Sequence, residues 1–200
     1  MNNLNKFKSK KKVFFQKLKP YKEVFYFLVI LLISNFFWKF AVKGDDSDTL
    51  ISFLGLNVTA PFNFVAQHFT NAVSSVLHFF GSDVIQRNNI LSHNNEYNVH
   101  IVWSCTGIKQ AYIFSCIIAF TRGFWMKKIW YIPAGLLVVY LFNLLRLTVI
   151  VASVKNHFEW FDFLHSYLFK YLFYGAIFVM WILWNEKIAV KKSPSQQQSR

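Results

Sequence analysis

Four long apolar segments alternate with polar connectors along this chain. They cover residues 24–42, 102–121, 129–152 and 166–186. Each is close to the roughly 20 apolar residues that an α-helix needs to cross the hydrocarbon layer of a membrane. The pattern predicts an all-α integral membrane protein with about four transmembrane helices.

The connector of residues 43–101 has a pattern of its own. Between residues 62 and 80, apolar residues recur at helical spacing, while polar residues such as Thr70 and Ser74 lie mostly elsewhere on the helical wheel. This predicts an amphipathic helix that lies on the outer leaflet or packs over the bundle. A fifth span is the alternative, and the polar face argues against it.

Two β-prone runs follow the amphipathic helix. "VIQRNNIL" covers residues 84–91, "EYNVHIVW" covers residues 96–103, and Ser-His-Asn-Asn separates them. The two runs predict a short β-hairpin that leads into the second span.

The composition agrees with a membrane protein. Hydrophobic residues make up 54% of the chain and charged residues only 16%, with 24 Phe and 7 Trp. A soluble domain of this length does not have enough interior to bury so much apolar and aromatic surface.

The net charge of +13 is concentrated beside the apolar segments. Eight lysines lie in the first 22 residues, the connector 122–128 carries three basic residues, and the tail 187–200 carries four. The positive-inside rule makes these parts cytoplasmic, so both termini are cytoplasmic and residues 43–101 and 153–165 face outward. Basic residues in these places suit anionic lipid headgroups, and we expect no nucleic-acid partner.

The same patterns define the domain organisation. We predict a basic cytoplasmic segment (1–23), one membrane-embedded domain (24–190) and a disordered cytoplasmic tail (191–200). The first apolar run is long enough to span, and no small-x-small cleavage site follows it. It is therefore predicted to be an uncleaved signal anchor.

Three polar residues come to one level of the membrane in this topology. Cys105 lies at the outer end of the second span, Arg146 lies about 9 Å below the outer end of the third, and His165 opens the fourth. Charged residues inside spans are costly and mark functional sites. A thiol nucleophile, an imidazole that moves its proton and a guanidinium that stabilises an oxyanion are together the components of a Cys–His–Arg enzyme site.

Neighbouring residues favour this chemistry. Lys109 is expected one helical turn beyond Cys105, on the same face, where it adds positive potential. Gly107 lets a backbone approach the thiol closely.

Each of these residues also has a purely structural interpretation. A lone cysteine in a span is usually packing, which is our interpretation of Cys116, and Arg146 can snorkel to headgroups, as we expect of Lys39 and Lys170. His165 can be an interfacial residue, and three other histidines are alternatives for the base: His157, His93 and His100. The two cysteines are about 16 Å apart on a continuous helix and cannot form a disulfide there.

A protein without enzymatic activity is the alternative at the level of function. A small transporter or an assembly subunit would also have several spans. For a transporter we expect inverted repeats or polar residues deep in several spans, and the sequence has neither.

At these residues the chain resembles the exosortase/archaeosortase family. The resemblance is carried by Cys105-Thr106-Gly107, by the Asn143-x-x-Arg146 pair and by His165 at the start of a late helix. The lead-in to the cysteine is similar too, at Gly81, Val84, Asn89, Ile90, Leu91, Val99 and Ile101. The similarity covers roughly residues 50–186, and the short chain is most similar to the compact exosortase F (XrtF) variants of Bacteroidetes-type bacteria.

The resemblance implies a membrane-embedded cysteine transpeptidase, with no cofactor and no metal. It implies that Cys105 attacks a peptide carbonyl to form a thioacyl enzyme, that Arg146 polarises the carbonyl and that His165 shuttles the proton. Thr106, Gly107, Lys109 and Asn143 would support them. The implied substrate is an exported protein with a C-terminal sorting signal, made of a short motif, a transmembrane helix and a basic tail. The acceptor would be an amine or another group, on a lipid or a glycan, at the extracytoplasmic face of the bacterial inner membrane.

Overall fold

The computed structural model describes residues 19–44, 50–93, 97–154 and 168–189. Helices account for most of these residues, and two small antiparallel sheets complete the fold. In chain order the elements are α1 (Lys19–Ala41), β1 (Val42–Gly44), β2 (Ile51–Phe53), β3 (Leu56–Asn57), α2 (Thr59–Phe79), β4 (Val84–Arg87), β5 (Ile90–His93), β6 (Tyr97–His100), a 3₁₀ turn (Trp103–Cys105), α3 (Ile108–Phe120), α4 (Trp125–Val154) and α5 (Phe169–Leu183). A π-helical segment, Trp184–Ala189, continues α5.

Helices α1 and α4 are long and apolar enough to cross a membrane. The apolar stretches are Lys22–Ala41 and Trp125–Val154. Both helices expose large apolar side chains to the outside of the bundle, among them Phe36, Phe40 and Leu141. Such a surface suits contact with lipid and is unfavourable in water. The first and third predicted spans are therefore confirmed as helices of spanning length, with α1 beginning inside the basic segment predicted for residues 1–23.

Helix α3 is shorter than the sequence predicts. Helix α3 has 13 residues and begins at Ile108, six residues after the start of the predicted span. A helix of that length is about 20 Å long, which is less than the roughly 30 Å of a hydrocarbon core. Helix α5 has 15 residues and is prolonged by the π-helical segment. Within the described residues two helices are both long and apolar enough to span, and four crossings stay a prediction.

Helix α3 is the centre of the bundle and packs against α1, α4 and α5. Four of its side chains are completely buried, namely Ile113, Phe114, Ile117 and Ile118. Phe114 lies directly against Gly135 of α4, where an added Cβ would be 2.1 Å from Phe114 Cζ. A small residue thus lets the two helices approach closely, as is common between membrane helices.

The predicted amphipathic helix is confirmed as α2. It packs against α4 and against the 3₁₀ turn, with Phe69, Val73 and Leu77 buried. Thr70 and Ser74, predicted on its polar face, are buried as well. The hydroxyl of Thr70 donates to the carbonyl oxygen of Ala66 at 2.9 Å. This hydrogen bond lowers the free-energy cost of burying the hydroxyl group.

The predicted hairpin is a three-stranded sheet. The first β-prone run folds back on itself, so β4 pairs with β5, and β5 then pairs with β6. Asn88 and Asn89 form the two-residue turn, and Asn88 has a positive φ of 52°, which asparagine tolerates better than most residues. A second sheet, β1-β2-β3, was not predicted because its strands have only two or three residues, too few to form a pattern.

Lys128 lies inside the protein although the sequence places it in a solvated connector. It is 4% exposed, and its ammonium group donates to the carbonyl oxygens of Ala119 at 2.7 Å and Thr121 at 2.6 Å. A cation at the carboxyl end of α3 satisfies carbonyl groups that have no partner within the helix. The connector is consequently shorter than predicted, and α4 begins at Trp125.

Candidate active site

Cys105 lies in a 3₁₀ turn that separates β6 from α3. Thr106 closes the turn, because its hydroxyl donates to the carbonyl oxygen of Trp103 at 2.6 Å. Gly107 follows in the left-handed region with φ 76°, and α3 starts immediately after it. The sequence placed Cys105 in the first turn of the helix, which is wrong because a left-handed residue interrupts the helical backbone at Gly107.

Two different hydrophobic clusters hold this turn. Trp103 packs beside the buried cluster of Trp38, Val42 and Ile51 and makes an edge contact with Phe62, with ring centroids 5.7 Å apart. Cys105 packs against another cluster, formed by α2, the β4-β5-β6 sheet and α4, whose buried members include Phe69 and Leu147. Residues two apart in the chain are thus anchored in separate cores, which fixes the turn that carries the half-buried thiol.

Asn143 of α4 supports the same turn from the other side. It is completely buried, and its amide nitrogen donates to the carbonyl oxygen of Cys105 at 3.0 Å. A Cβ added at Gly107 would lie 3.1 Å from Asn143 Cγ. Gly107 therefore permits the close approach of the Asn143 side chain, whereas the sequence had suggested a close approach to the thiol.

Arg146 is one helical turn after Asn143 on the same buried face of α4. It is 8% exposed, so its side chain faces the protein interior instead of reaching for lipid headgroups. Its charge lies close enough to Cys105 for the two groups to interact electrostatically. In the described part of the chain, Arg146 Nε and Asn143 Oδ1 are buried without a hydrogen-bond partner.

Lys109 and Cys105 are not in one continuous helix, contrary to the prediction. Lys109 lies in the first turn of α3 and lines a cavity of about 280 Å³ together with Lys39, Trp103 and Ser104. The prediction that it shares a helical face with Cys105 is wrong, because Cys105 is not part of that helix.

The histidine of the predicted site, His165, lies outside the described residues, as does its rival His157. Of the other rivals, His100 is exposed on β6, and His93 belongs to β5.

The structure adds a histidine that sequence reasoning missed. His68 Nε2 lies 3.0 Å from the hydroxyl of Tyr140, and Tyr140 packs against the same buried cluster as Cys105. No sequence pattern indicates this pair, since 72 residues separate its members.

Cys105 and Cys116 do not form a disulfide with each other, as expected. Cys116 lies within α3, three turns beyond the turn that holds Cys105. Among the residues that the structure describes, no group of His, Cys, Asp and Glu side chains could hold a metal ion. The described residues near Cys105 include a buried cation, Arg146, and a buried amide, Asn143.

The fold and this arrangement define a helical membrane protein with a cysteine at its candidate active site. A family model described as a transmembrane exosortase matches residues 49–184, which is more than half of the chain and includes Cys105, Asn143, Arg146 and His165. The chain therefore belongs to the transmembrane exosortase family. Members of this family are membrane cysteine transpeptidases that process exported proteins bearing sorting signals.

Comparison with curated proteins and with solved structures gives no match. The family model does not resolve subtypes, so the resemblance to the compact exosortase F group stays a prediction.

Proposed function

We propose that this protein is a cysteine transpeptidase that cleaves the C-terminal sorting signals of exported proteins. The thiolate of Cys105 attacks the carbonyl carbon of the scissile peptide bond. The C–N bond then breaks, the leaving amine takes a proton, and the upstream part of the substrate remains as a thioester on Cys105. An acceptor nucleophile, an amine or water, attacks this thioester and regenerates the thiol.

The unpartnered polar atoms beside Cys105 carry this proposal. Among the residues that the structure describes, a buried arginine N–H and a buried amide oxygen have no hydrogen-bond partner. Leaving such groups unpaired costs free energy, so a ligand that pairs with them is favoured. Both sit on the face of α4 that supports the Cys105 turn. A bound substrate supplies the missing partners, with its carbonyl oxygen accepting from Arg146 and a peptide N–H donating to Asn143 Oδ1.

Each side chain then has a role that follows from its position. Arg146 stabilises the oxyanion of the tetrahedral intermediate, where a fixed cation shielded from water has its greatest effect. Asn143, through its hydrogen bond to the Cys105 carbonyl, holds the nucleophile in place. His165 is the proposed acid and base that moves the proton between the thiol and the leaving amine.

The proposed setting is the inner membrane of a bacterium. Four helices cross it, both termini are cytoplasmic, and the Cys105 turn lies at the extracytoplasmic face, where exported proteins emerge. The substrate signal consists of a short motif, a transmembrane helix and a basic tail, and the acceptor group is carried by a lipid or a glycan.

Substitution of the thiol tests the central assignment. We expect Cys105→Ala and Cys105→Ser to abolish processing of an exported protein with such a tail, because the acylation step needs a thiolate. Processing is measured as the mobility shift of the substrate in cells that make each variant at equal membrane levels. Cys116→Ala is the matched control and should process normally. Normal processing by Cys105→Ala would show that another residue is the nucleophile.

Histidine substitutions test the assignment of the proton carrier. His165→Ala is expected to reduce the rate of processing by roughly a hundredfold or more, the usual contribution of a general base. His68→Ala should have a small effect, because His68 is exposed and paired with Tyr140. If His68→Ala has the larger effect, the base is His68 and the assignment of His165 is wrong.

A further inference from the structure

A cavity next to the Cys105 turn has no role in the mechanism above. It has a volume of about 280 Å³ and lies between the last turn of α1 and the first turn of α3. Lys39 and Lys109 line it together with the indole rings of Trp38 and Trp103, and Ser104, which directly precedes Cys105, contributes to its wall. The cavity is therefore distinct from the face of α4 that holds Asn143 and Arg146.

The charge of this cavity indicates an anionic ligand. The charges of Lys39 and Lys109 are close enough to repel each other, and Lys170 adds to the repulsion at Lys109. Among the described residues that line the cavity, none is acidic. Two ammonium groups around one cavity are stabilised when an anion lies between them, because attraction to the anion then replaces their mutual repulsion.

The location of the cavity identifies the kind of anion. Lys39 is in the last turn of α1, a helix long enough to span a membrane. The surface around it is aromatic and outward-facing, since Phe36, Phe37 and Phe40 are all exposed. The end of a spanning helix lies at the level of the lipid headgroups, where tryptophan is also enriched. The anions that are most abundant at this level are the phosphate groups of phospholipids.

We propose that the cavity binds the phosphate group of a phospholipid headgroup. Lys39 and Lys109 neutralise the phosphate, the Ser104 hydroxyl donates to one of its oxygens, and the two indole rings enclose the adjoining part of the headgroup. The bound headgroup lies beside the residue that precedes Cys105. The further consequence, that this lipid is held within reach of the thioester, rests on the proposed function.

A binding measurement on the purified full-length protein tests the proposal. The delipidated protein in detergent is titrated with dihexanoylphosphatidylglycerol, and binding is followed by native mass spectrometry. Lys39→Gln combined with Lys109→Gln is expected to weaken binding by roughly tenfold or more, because two cationic ligands are lost. Lys43→Gln is the matched control, since Lys43 is exposed near the end of α1 and is not among the cavity residues. Unchanged affinity in the double variant would overturn the proposal.

Two further ligands separate the phosphate from the rest of the lipid. Dihexanoylglycerol, which has the acyl chains but no phosphate, should bind at least tenfold more weakly than the phospholipid, and equal binding would refute a phosphate site. Inorganic phosphate should compete only at much higher concentration than the phospholipid. If it binds as tightly, the ligand is free phosphate and the lipid assignment is wrong.

Additional variants separate this proposal from the enzymatic one and from misfolding. Cys105→Ala should bind the phospholipid like the unaltered protein, because the lipid measurement requires no catalysis. Lys109→Arg keeps the charge and should restore most of the binding that Lys109→Gln loses. A failure of this charge-conserving rescue, in a variant that elutes as a folded species, would contradict the assignment of Lys109 as a cationic ligand.

Discussion

At the scale of single residues, the position of the Asn143 side chain depends on the absence of a side chain at Gly107. Gly107 adopts φ 76°, and the absence of its side chain leaves the space that Asn143 occupies. Asn143 in turn donates to the carbonyl oxygen of Cys105. Because this carbonyl lies in a 3₁₀ turn, outside any α-helix or strand, the side chain of Asn143 supplies its hydrogen bond. The Cys-Thr-Gly sequence therefore places the half-buried thiol in a turn after β6 and starts α3 within a few residues.

We expect Gly107→Ala to impair both stability and processing. The left-handed conformation costs a non-glycine residue about 1–2 kcal/mol, and the new Cβ lies 3.1 Å from Asn143 Cγ, which pushes Asn143 away from Cys105. Thermal unfolding in detergent and the substrate-processing assay measure the two effects.

Gly175→Ala is the control for this substitution. Gly175 lies in α5 with nothing within 4 Å of an added Cβ, so alanine should leave processing unchanged and stabilise the helix by about 0.5–1 kcal/mol. Equal effects of the two substitutions would show that the contact between Gly107 and Asn143 has no special importance.

At the scale of elements, α3 is short, central and closely packed. It begins after the Cys105 turn and ends where the ammonium group of Lys128 binds its last carbonyl oxygens. Its completely buried residues include Phe114, which lies against Gly135 of α4. The position of α4 relative to the Cys105 turn therefore depends on this contact, because α4 also carries Asn143 and Arg146.

Gly135→Ala tests the close packing of these two helices. The added Cβ would lie 2.1 Å from Phe114 Cζ, so the phenyl ring or the helix must move, at a cost of about 1–3 kcal/mol. We expect a lower unfolding temperature in detergent. In the double variant with Phe114→Leu, the cost of Gly135→Ala should be smaller, since leucine has no ring at that position. Additive effects of the two substitutions would show that the residues do not interact.

At the scale of the whole molecule, the bundle combines two long helices with two shorter ones and an irregular segment. Residue 102, the 3₁₀ turn, Thr106 and Gly107 are not α-helical, although the sequence predicts a span there. Irregular backbone is tolerated at membrane depth only where protein or a water-filled cavity surrounds it. Helix α2, the two clusters around Trp103 and Cys105, and Asn143 provide that cover.

The proposed topology is tested by labelling thiols in intact cells. With Cys116→Ala as the background, a membrane-impermeant maleimide added from outside should label Cys105, since the turn is predicted to face the extracytoplasmic side. Labelling should disappear in the variant that also carries Cys105→Ala. If Cys105 reacts only with a permeant maleimide, the orientation of the spans is opposite to our prediction.

The sequence by itself determined the class of the protein and the family to which it belongs. Length and continuity of apolar runs predict membrane helices because each run must match the thickness of a bilayer, and α1 and α4 confirm this. The spacing of apolar residues between residues 62 and 80 predicts α2, because it places them on one face of a helix. The motifs around Cys105, Asn143 and Arg146 are local as well, and they led to the family that the chain belongs to.

Only the tertiary structure decided which residues from distant segments of the chain are in contact around Cys105. The 3₁₀ turn at Cys105, the position of Lys109 on the cavity with Lys39, and the His68–Tyr140 pair all depend on contacts between distant segments. The burial of Thr70 and Lys128 has the same origin, because internal hydrogen bonds compensate polar groups that a pattern alone assigns to solvent. The periodicity of a sequence predicts which face of a helix is apolar. It does not predict which other segment packs against that face, because this depends on contacts between residues that are far apart in the chain.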